Sequence, residues 1–395
     1  MKPLFYTIAA LMSALIVGCT DNVPTQASQP IRTQGITEMN EQENDDEAVE
    51  VQVDVKVSKK AAIAIAEMQD DVDKPETFSN TERIRLVSYN CENLYDTEDD
   101  PKTNDDEFTP DGVKKWNKAK YKIKLINVSK AIRAAGNGTM PALVGLLEVE
   151  NKTVLRDLCN QDIMKTANYR YVHKDSRDAR GIDVALLYRT DLINMLEEKW
   201  VTVKQNSGRD ILYAKCQLNN KEVLHVLVNH WPSMREGEAQ SESKREVAAK
   251  AARRVVDSLR KAEKGDLNIV LMGDFNSTIK QSAMSNILKV KAYDKNEGKG
   301  SLCDLTSRYD ATDNIGSHKY DGKWDVLDHM IVEGGMLDKN RKVFTTSKSG
   351  HICHETFLLS QSKSGYYSPK RSFKGDVWTS GYSDHLPVSM DLYLK

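Results

Sequence analysis

A chain of 395 residues, 39% hydrophobic and 29% charged, can bury one large core or two ordinary ones, and its six cysteines and 21 glycines exclude a disulfide-stapled miniprotein or a collagen-like fibre. The formal charge of −2 is unevenly spread: residues 36–82 hold fourteen acids against four lysines and residues 1–35 two bases against one acid, which leaves residues 83–395 at +7. A basic domain joined to an acidic segment attracts polyanions and speeds encounter with them, although the same charge also serves plain solubility.

The chain opens on Lys2 and the apolar run LFYTIAALMSALIV, residues 4–17. Ile16-Val17-Gly18-Cys19 then resembles a bacterial lipoprotein signal box. At about 15 apolar residues the run is short for a membrane span, which needs about 20, and no later run reaches that length. Residues 1–19 are therefore expected to be a signal segment cleaved before Cys19. Lipidation of that cysteine would anchor the protein in a bacterial cell envelope, on the periplasmic or surface side; an uncleaved signal anchor is the alternative. Residues 20–82 are expected to be an acidic flexible linker, because ITEMNEQENDDEAVE is almost free of groups that could pay for ordering it. Cys91, Cys159, Cys216, Cys303 and Cys353 are widely spaced without any CxxC, which fits neither a zinc site nor a disulfide framework. Buried free thiols are favoured over a Cys303–Cys353 bridge.

From residue 83 the pattern is mixed α/β. RIRLVSYN, ALVGLLEV, YRYVHK, IDVALLYR, ILYAKCQL, EVLHVLVNH, LNIVLMGD, WDVLDHMIV and VSMDLYL read as strands rich in branched and aromatic residues. Helices are predicted over 114–136, 152–164 and 239–264, the last with Val247, Ala251, Val255 and Leu259 along one face. Strands outnumber helices, so several must pair as hairpins, which suits two packed sheets with helices outside.

Polar residues recur where these runs end. Asn90 closes the first, Glu148 the second, Asn229 and His230 another; WDVLDH contains Asp328 and SGYSDHLPV contains Asp384 and His385. In MGDFNS, strand alternation would put Asp274 and Asn276 on one face with Phe275 turned to the core. Each has an ordinary alternative. Asn90 could cap a turn, Glu148 could begin the next helix, His230 could be a satisfied core histidine and Asp384 could sit in a turn before Pro387.

Taken together, SYNCENL, LLEVEN, VNHWPS, GDFNS, WDVLDH and SDHLPV resemble, in order, the motifs of the endonuclease, exonuclease and phosphatase superfamily, over about residues 83–395. GDFN followed by SDHxPV is the most specific part. The resemblance implies a deoxyribonuclease I-like four-layer α/β sandwich, two packed, mostly antiparallel sheets flanked by helices, as one catalytic domain. It implies that Asn90 and Glu148, with Asp384 beside them, hold a divalent cation, usually Mg²⁺ with Mn²⁺ or Ca²⁺ as alternatives. Asp274 would be the base that orients or deprotonates water, and Asn276 would hold that water or a phosphoryl oxygen. His385 would bind the phosphoryl group, Asp328 would orient its imidazole, and His230 would bind phosphate or protonate a leaving oxygen. His329, alternating to the other face, is expected in the core.

Leu147 stands where many members carry Gln, and Met234 and Glu236 stand where a bacterial secreted subgroup often has basic and glycine residues. Arg180, Arg235, Arg245, Lys370 and Arg371 are candidates for phosphate contacts because guanidinium and ammonium groups fit phosphate; a solvated basic surface is the alternative for each. The expected activity is a metal-dependent phosphodiesterase on nucleic acid, DNA preferred, acting as a monomeric endonuclease outside the cytoplasm and tethered to the membrane through Cys19. A phosphatase or phospholipase C-type reaction on a small phosphoester or lipid head group, or a non-enzymatic surface binding module, are the alternatives.

Overall fold

The run RIRLVSYN lies within a strand, β1 (Glu82–Leu94), buried from Ile84 to Glu92, as expected of a strand covered on both faces. In this computed structural model residues 75–203, 209–234, 237–311 and 315–395 are described. The signal segment with Cys19, most of the linker, and Arg235 lie outside the described residues. Helix α1 (Lys118–Ala135) begins at Asn117, whose side chain accepts from the Ala119 and Lys120 amides, and stops at Gly136. Then come β2 (Leu143–Val149), α2 (Lys152–Cys159), α3 (Asp162–Lys165), β3 (Tyr169–His173), β4 (Asp183–Arg189), β5 (Ile193–Val201), β6 (Ile211–Leu218), β7 (Val223–His230), α4 (Glu238–Ala262) and β8 (Ile269–Asp274). Two short strands, β9 (Val290–Ala292) and β10 (Leu302–Asp304), precede a hairpin of β11 (His318–Tyr320) and β12 (Lys323–Asp325). They are followed by β13 (Asp328–Glu333), β14 (Val343–Phe344), β15 (His351–Ile352), the hairpins β16 (Leu359–Gln361) with β17 (Tyr367–Pro369) and β18 (Phe373–Lys374) with β19 (Val377–Trp378), and β20 (Val388–Leu394).

Among the described residues the long strands form two seven-stranded sheets. One runs β14-β20-β1-β2-β4-β3, with β15 also on β20, and the other β5-β6-β7-β8-β13-β10-β9. Only β1 with β2, β7 with β8 and β9 with β10 pair in parallel, so both sheets are mostly antiparallel. The sheets pack through β1, β2 and β4 against β7, β8 and β13. Their approach is close at Gly145, where a Cβ would stand 3.0 Å from Met272 Cε and 3.3 Å from Val228 Cγ1. α1 and α2 cover the first sheet, and α4 covers the second by packing Ala248, Ala252 and Val256 on Leu227, Ile269 and Leu271. This is the expected four-layer sandwich.

Several details differ from the sequence reading. Of the predicted stripe of α4 Ala251 is buried, while Val247, Val255 and Leu259 are only partly buried; Ala248, Ala249, Ala252 and Val256 are fully enclosed. Small alanines at 248, 249 and 252 let the helix lie close to the sheet, and Val256 is enclosed beside them. The predicted helix over 152–164 divides into α2 and α3. Packing also reaches back before residue 83, because Phe78 meets Phe344 and Tyr393 edge-on at 5.0 and 4.7 Å. The cysteines at 91, 159, 216, 303 and 353 are free thiols, all but Cys159 buried. Among the described residues no helix is long and apolar enough to cross a membrane.

Candidate active site

The site is built where strands from both sheets end at one rim. In the second sheet, His230 on β7 and Asp328 on β13 are the register partners of Asp274 on β8, so one row across three adjacent strands carries three polar side chains. Gly273 makes this row possible. It has φ +141°, and a Cβ there would lie 1.9 Å from the Asn229 carbonyl oxygen. Gly273→Ala should therefore force β7 and β8 apart beside Asp274 and cost about 2–4 kcal/mol; denaturant unfolding of this variant against the parent checks it.

Asp274 is almost wholly buried. Its Oδ1 accepts the Asn276 amide at 2.8 Å, and its Oδ2 accepts the side-chain NH₂ groups of Asn276 at 3.0 Å and Asn90 at 3.2 Å. The sequence reading put Asp274 and Asn276 together by strand alternation, and the route differs. β8 ends at Asp274, and Asn276 turns back with φ +47°, a left-handed conformation that asparagine tolerates well. Phe275 points into the core against Trp231, as expected. Burial first, then Asp328 and Glu148, push the Asp274 carboxyl up, while His385 pulls it down; the balance is about 7.

The loop before β20 brings His385 over this row. Its Nδ1 is 2.7 Å from Asp328 Oδ2 and its Nε2 3.8 Å from Asp274 Oδ2. Burial alone would lower the pKa of this imidazole, but Asp328, Asp274 and Asp384 outweigh it and hold it well above the usual histidine range. His385 is thus a charged double donor. His230 differs in kind: burial, then Arg209, Arg180 and His385, hold it well below that range as a neutral ring. It lies 3.7 Å from both Asp274 Oδ2 and Glu148 Oε1. A neutral His230 can donate one N–H to a phosphoryl oxygen but carries no spare proton for a leaving oxygen.

The first sheet contributes through irregular strand ends. Glu148 sits at a register shift of β2 with φ +60°, a bulge that re-aims its side chain, and its Oε2 accepts the Asn93 amide at 2.9 Å. Glu92 and Asn93 likewise have φ +50° and +57° where the pairing of β1 slips. Asn90 Oδ1 accepts the Glu92 amide at 3.0 Å, and the Asn90 carbonyl is tied to the C-terminal loop by the Ser383 hydroxyl at 2.7 Å. Asp384 is held at 3.0 Å by Arg371, which also reaches Glu92 at 3.3 Å. Asn90, Glu148 and Asp384 offer oxygen donors only, the set a hard divalent cation prefers. The charge around them is consistent with that, since Asp384, Glu92 and Glu148 all act on Arg371 and on buried Lys124. Asp274–Asp328–His385 and His318–Asp384–His385 also bring three donor atoms each close enough to share an ion.

Two further groups were not among the residues expected from the sequence. Arg209 is buried with Nη1 3.1 and 3.2 Å from the ring nitrogens of His230 and Nε 3.7 Å from Asp178, which also faces Arg180 at 3.7 Å. Lys124, fully buried on α1, donates to Ser372 Oγ and, at 2.7 Å, to the Tyr382 carbonyl, pinning the loop that carries Arg371 and Asp384. Of the expected phosphate contacts, Arg180 and Arg371 border the site, and Lys370 lies over the Tyr382 ring at 6.0 Å. Arg245 does not belong with them. It is fully buried on α4 and its guanidinium is taken up by Glu242 at 2.8 Å, Ser241 at 2.8 Å and the Pro232 carbonyl at 3.4 Å. His329 is a core histidine as expected, bonded to Asp304 at 2.7 Å and the Ser277 carbonyl at 2.8 Å.

The chain is similar to a Bacteroides thetaiotaomicron structure described as an endonuclease/exonuclease/phosphatase family protein (15% identity, 80% of this chain, 96% of that chain, TM-score 0.48). It is also similar to D. rerio TDP2 humanized by 14 mutations (14%, 78%, 98%, 0.46) and to a B. thetaiotaomicron mannosyl-6-phosphatase (16%, 78%, 99%, 0.45). No curated protein matches. A model of the Endonuclease/Exonuclease/phosphatase family matches residues 85–394, so the chain belongs to that family of phosphoester hydrolases.

Proposed function

We propose that the protein is a divalent-metal-dependent phosphodiesterase that cuts nucleic acid, DNA in preference, working as a monomer outside the cytoplasm from a lipid anchor on Cys19. The observation that carries the reading is Asp274: a buried carboxylate held by two asparagine amides and flanked by one charged and one neutral histidine. A carboxylate poised near neutrality can take a proton from water, and Asn276 fixes the oxygen it uses. His385, kept charged and oriented by Asp328, donates to the phosphoryl group as negative charge builds there. Neutral His230, backed by Arg209, adds a second donor to the same group. Asn90, Glu148 and Asp384 would hold the cation, which when bound supplies charge neutralisation at the phosphate oxygens.

Nucleic acid is favoured over a small phosphoester by the +7 charge of residues 83–395 and by Arg180 and Arg371 at the rim. Trp378, the aromatic residue best placed for a membrane wedge near the C-terminal loop, packs edge-on against Trp116 at 5.4 Å. A substrate panel tests this reading. The full chain with Mg²⁺ is expected to cleave supercoiled plasmid and to leave sphingomyelin, inositol phosphates and phosphomonoesters largely intact; preference for any of the latter would overturn the substrate assignment.

A further inference from the structure

At the end of β3, outside the cluster just described, an imidazole is buried without a hydrogen bond. The His173 side chain is wholly enclosed, and neither ring nitrogen has a hydrogen-bond partner. An unmet polar group in the interior costs about 1–3 kcal/mol, so a histidine left with two calls for a ligand. The groups that face it are carboxylates. His173 Nδ1 is 3.7 Å from Asp175 Oδ1, and donor atoms of His173, Asp175 and Asp183 all lie within 4.8 Å of one another. Asp183, buried at the start of β4, is steadied by the Ser176 amide at 3.1 Å. Asp175 is exposed and free to swing in from solvent.

We propose that His173, Asp175 and Asp183 form a binding site for a borderline divalent cation of the zinc class, separate from the phosphoester site. One imidazole nitrogen and two carboxylates with water as a fourth ligand are a donor set such an ion accepts, whereas Mg²⁺ and Ca²⁺ prefer oxygen alone. The Val149 carbonyl lies near the ring without reaching hydrogen-bond geometry. Among the described residues, no hydrogen bond or ion pair of these three groups reaches Asn90, Glu148, Asp274 or His385. An ion here would clamp residues 174–182, the loop that carries Asp178 and Arg180.

The inference does not depend on the proposed activity. Zinc is titrated calorimetrically into the metal-stripped full chain with Mg²⁺ in excess, alongside Glu148→Gln, His173→Gln and Asp175→Asn. The parent and Glu148→Gln should each bind one Zn²⁺ and gain thermal stability from it, Asp175→Asn should bind it at least tenfold more weakly, and His173→Gln not at all. His173→Gln is buried and could fail to fold, whereas Asp175→Asn lies at the surface and decides the matter alone. Zinc binding that is absent in the parent, unchanged in Asp175→Asn, or lost in Glu148→Gln overturns the site.

Discussion

Asp274→Ala should lower kcat on a simple phosphodiester by about 10² to 10⁴ while leaving KM within a few-fold of the parent, the expected size for removing a well-placed base. The carboxylate is enclosed by Asn90, Asn276, His230 and His385. Truncation removes the acceptor of three N–H donors, the Asn276 amide and the side-chain NH₂ groups of Asn276 and Asn90, and some loss of stability, about 1–3 kcal/mol, accompanies the loss of rate. Asp274→Asn keeps the volume but removes the base and turns one accepting oxygen into a donor facing the N–H groups of Asn276 or Asn90, so its unfolding is measured beside its rate. Asp328→Asn should be milder than His385→Ala, since it loosens the imidazole without deleting it. Steady-state kinetics on variants whose unfolding is measured in parallel check this series; a fall in kcat below threefold for Asp274→Ala in a folded protein would remove Asp274 from the chemistry.

The largest stability effect is expected at the opposite end of the first sheet. Asp391 on β20 meets Arg85 on β1 at 2.8 and 2.9 Å, both side chains buried, and Arg83 adds a partly exposed contact at 3.2 Å. Asp391→Ala strands Arg85 in the interior and should cost about 3–5 kcal/mol, because breaking a buried pair leaves a charge uncompensated. The pair also predicts a pH dependence. Burial raises the Asp391 carboxyl, but the Arg85 hydrogen bond and charge, with Arg83, overcome it and hold the folded pKa below the usual carboxylate value. A depressed folded pKa means the stabilisation is complete above the unfolded value of about 3.9 and is lost as pH falls through the folded one. Urea unfolding at neutral pH and below pH 4 should therefore show the gap between parent and Asp391→Ala narrowing in acid. A gap that stays constant would mean the loss is one of packing.

The sheets were legible because strands buried on both sides read as unbroken apolar runs, and β1, β2, β7 and β8 begin within a few residues of where those runs do. β5 escaped notice because it is an edge strand with many residues exposed, and LINMLEEKW offers no clean alternation. At the site, the polar residue closing each apolar run was visible as a chemical oddity, but its aim was not. Glu148, Glu92, Asn93 and Asn276 all take positive φ, and a bulge or a left-handed turn leaves little trace in composition. Lys124 did leave a signal: it shares its helix face with Val128, Ala131 and Ala135, so a charge lies on the buried stripe. Arg245 carries the same signal, in line with Ala248, Ala249 and Ala252, and it argued for a structural arginine. Arg209 and Asp178 could not be seen, since each lies in an ordinary polar stretch and they meet only through folding.

Nicking of supercoiled plasmid by the full chain, with Mg²⁺ and with EDTA, beside Asp274→Ala and His385→Ala, tests the central claim most directly. Metal-dependent conversion to open circles that disappears in EDTA and in both variants is the predicted result. Plasmid that survives in every lane, or cutting that persists in folded Asp274→Ala, would contradict a phosphodiesterase centre built on the row His230, Asp274 and Asp328.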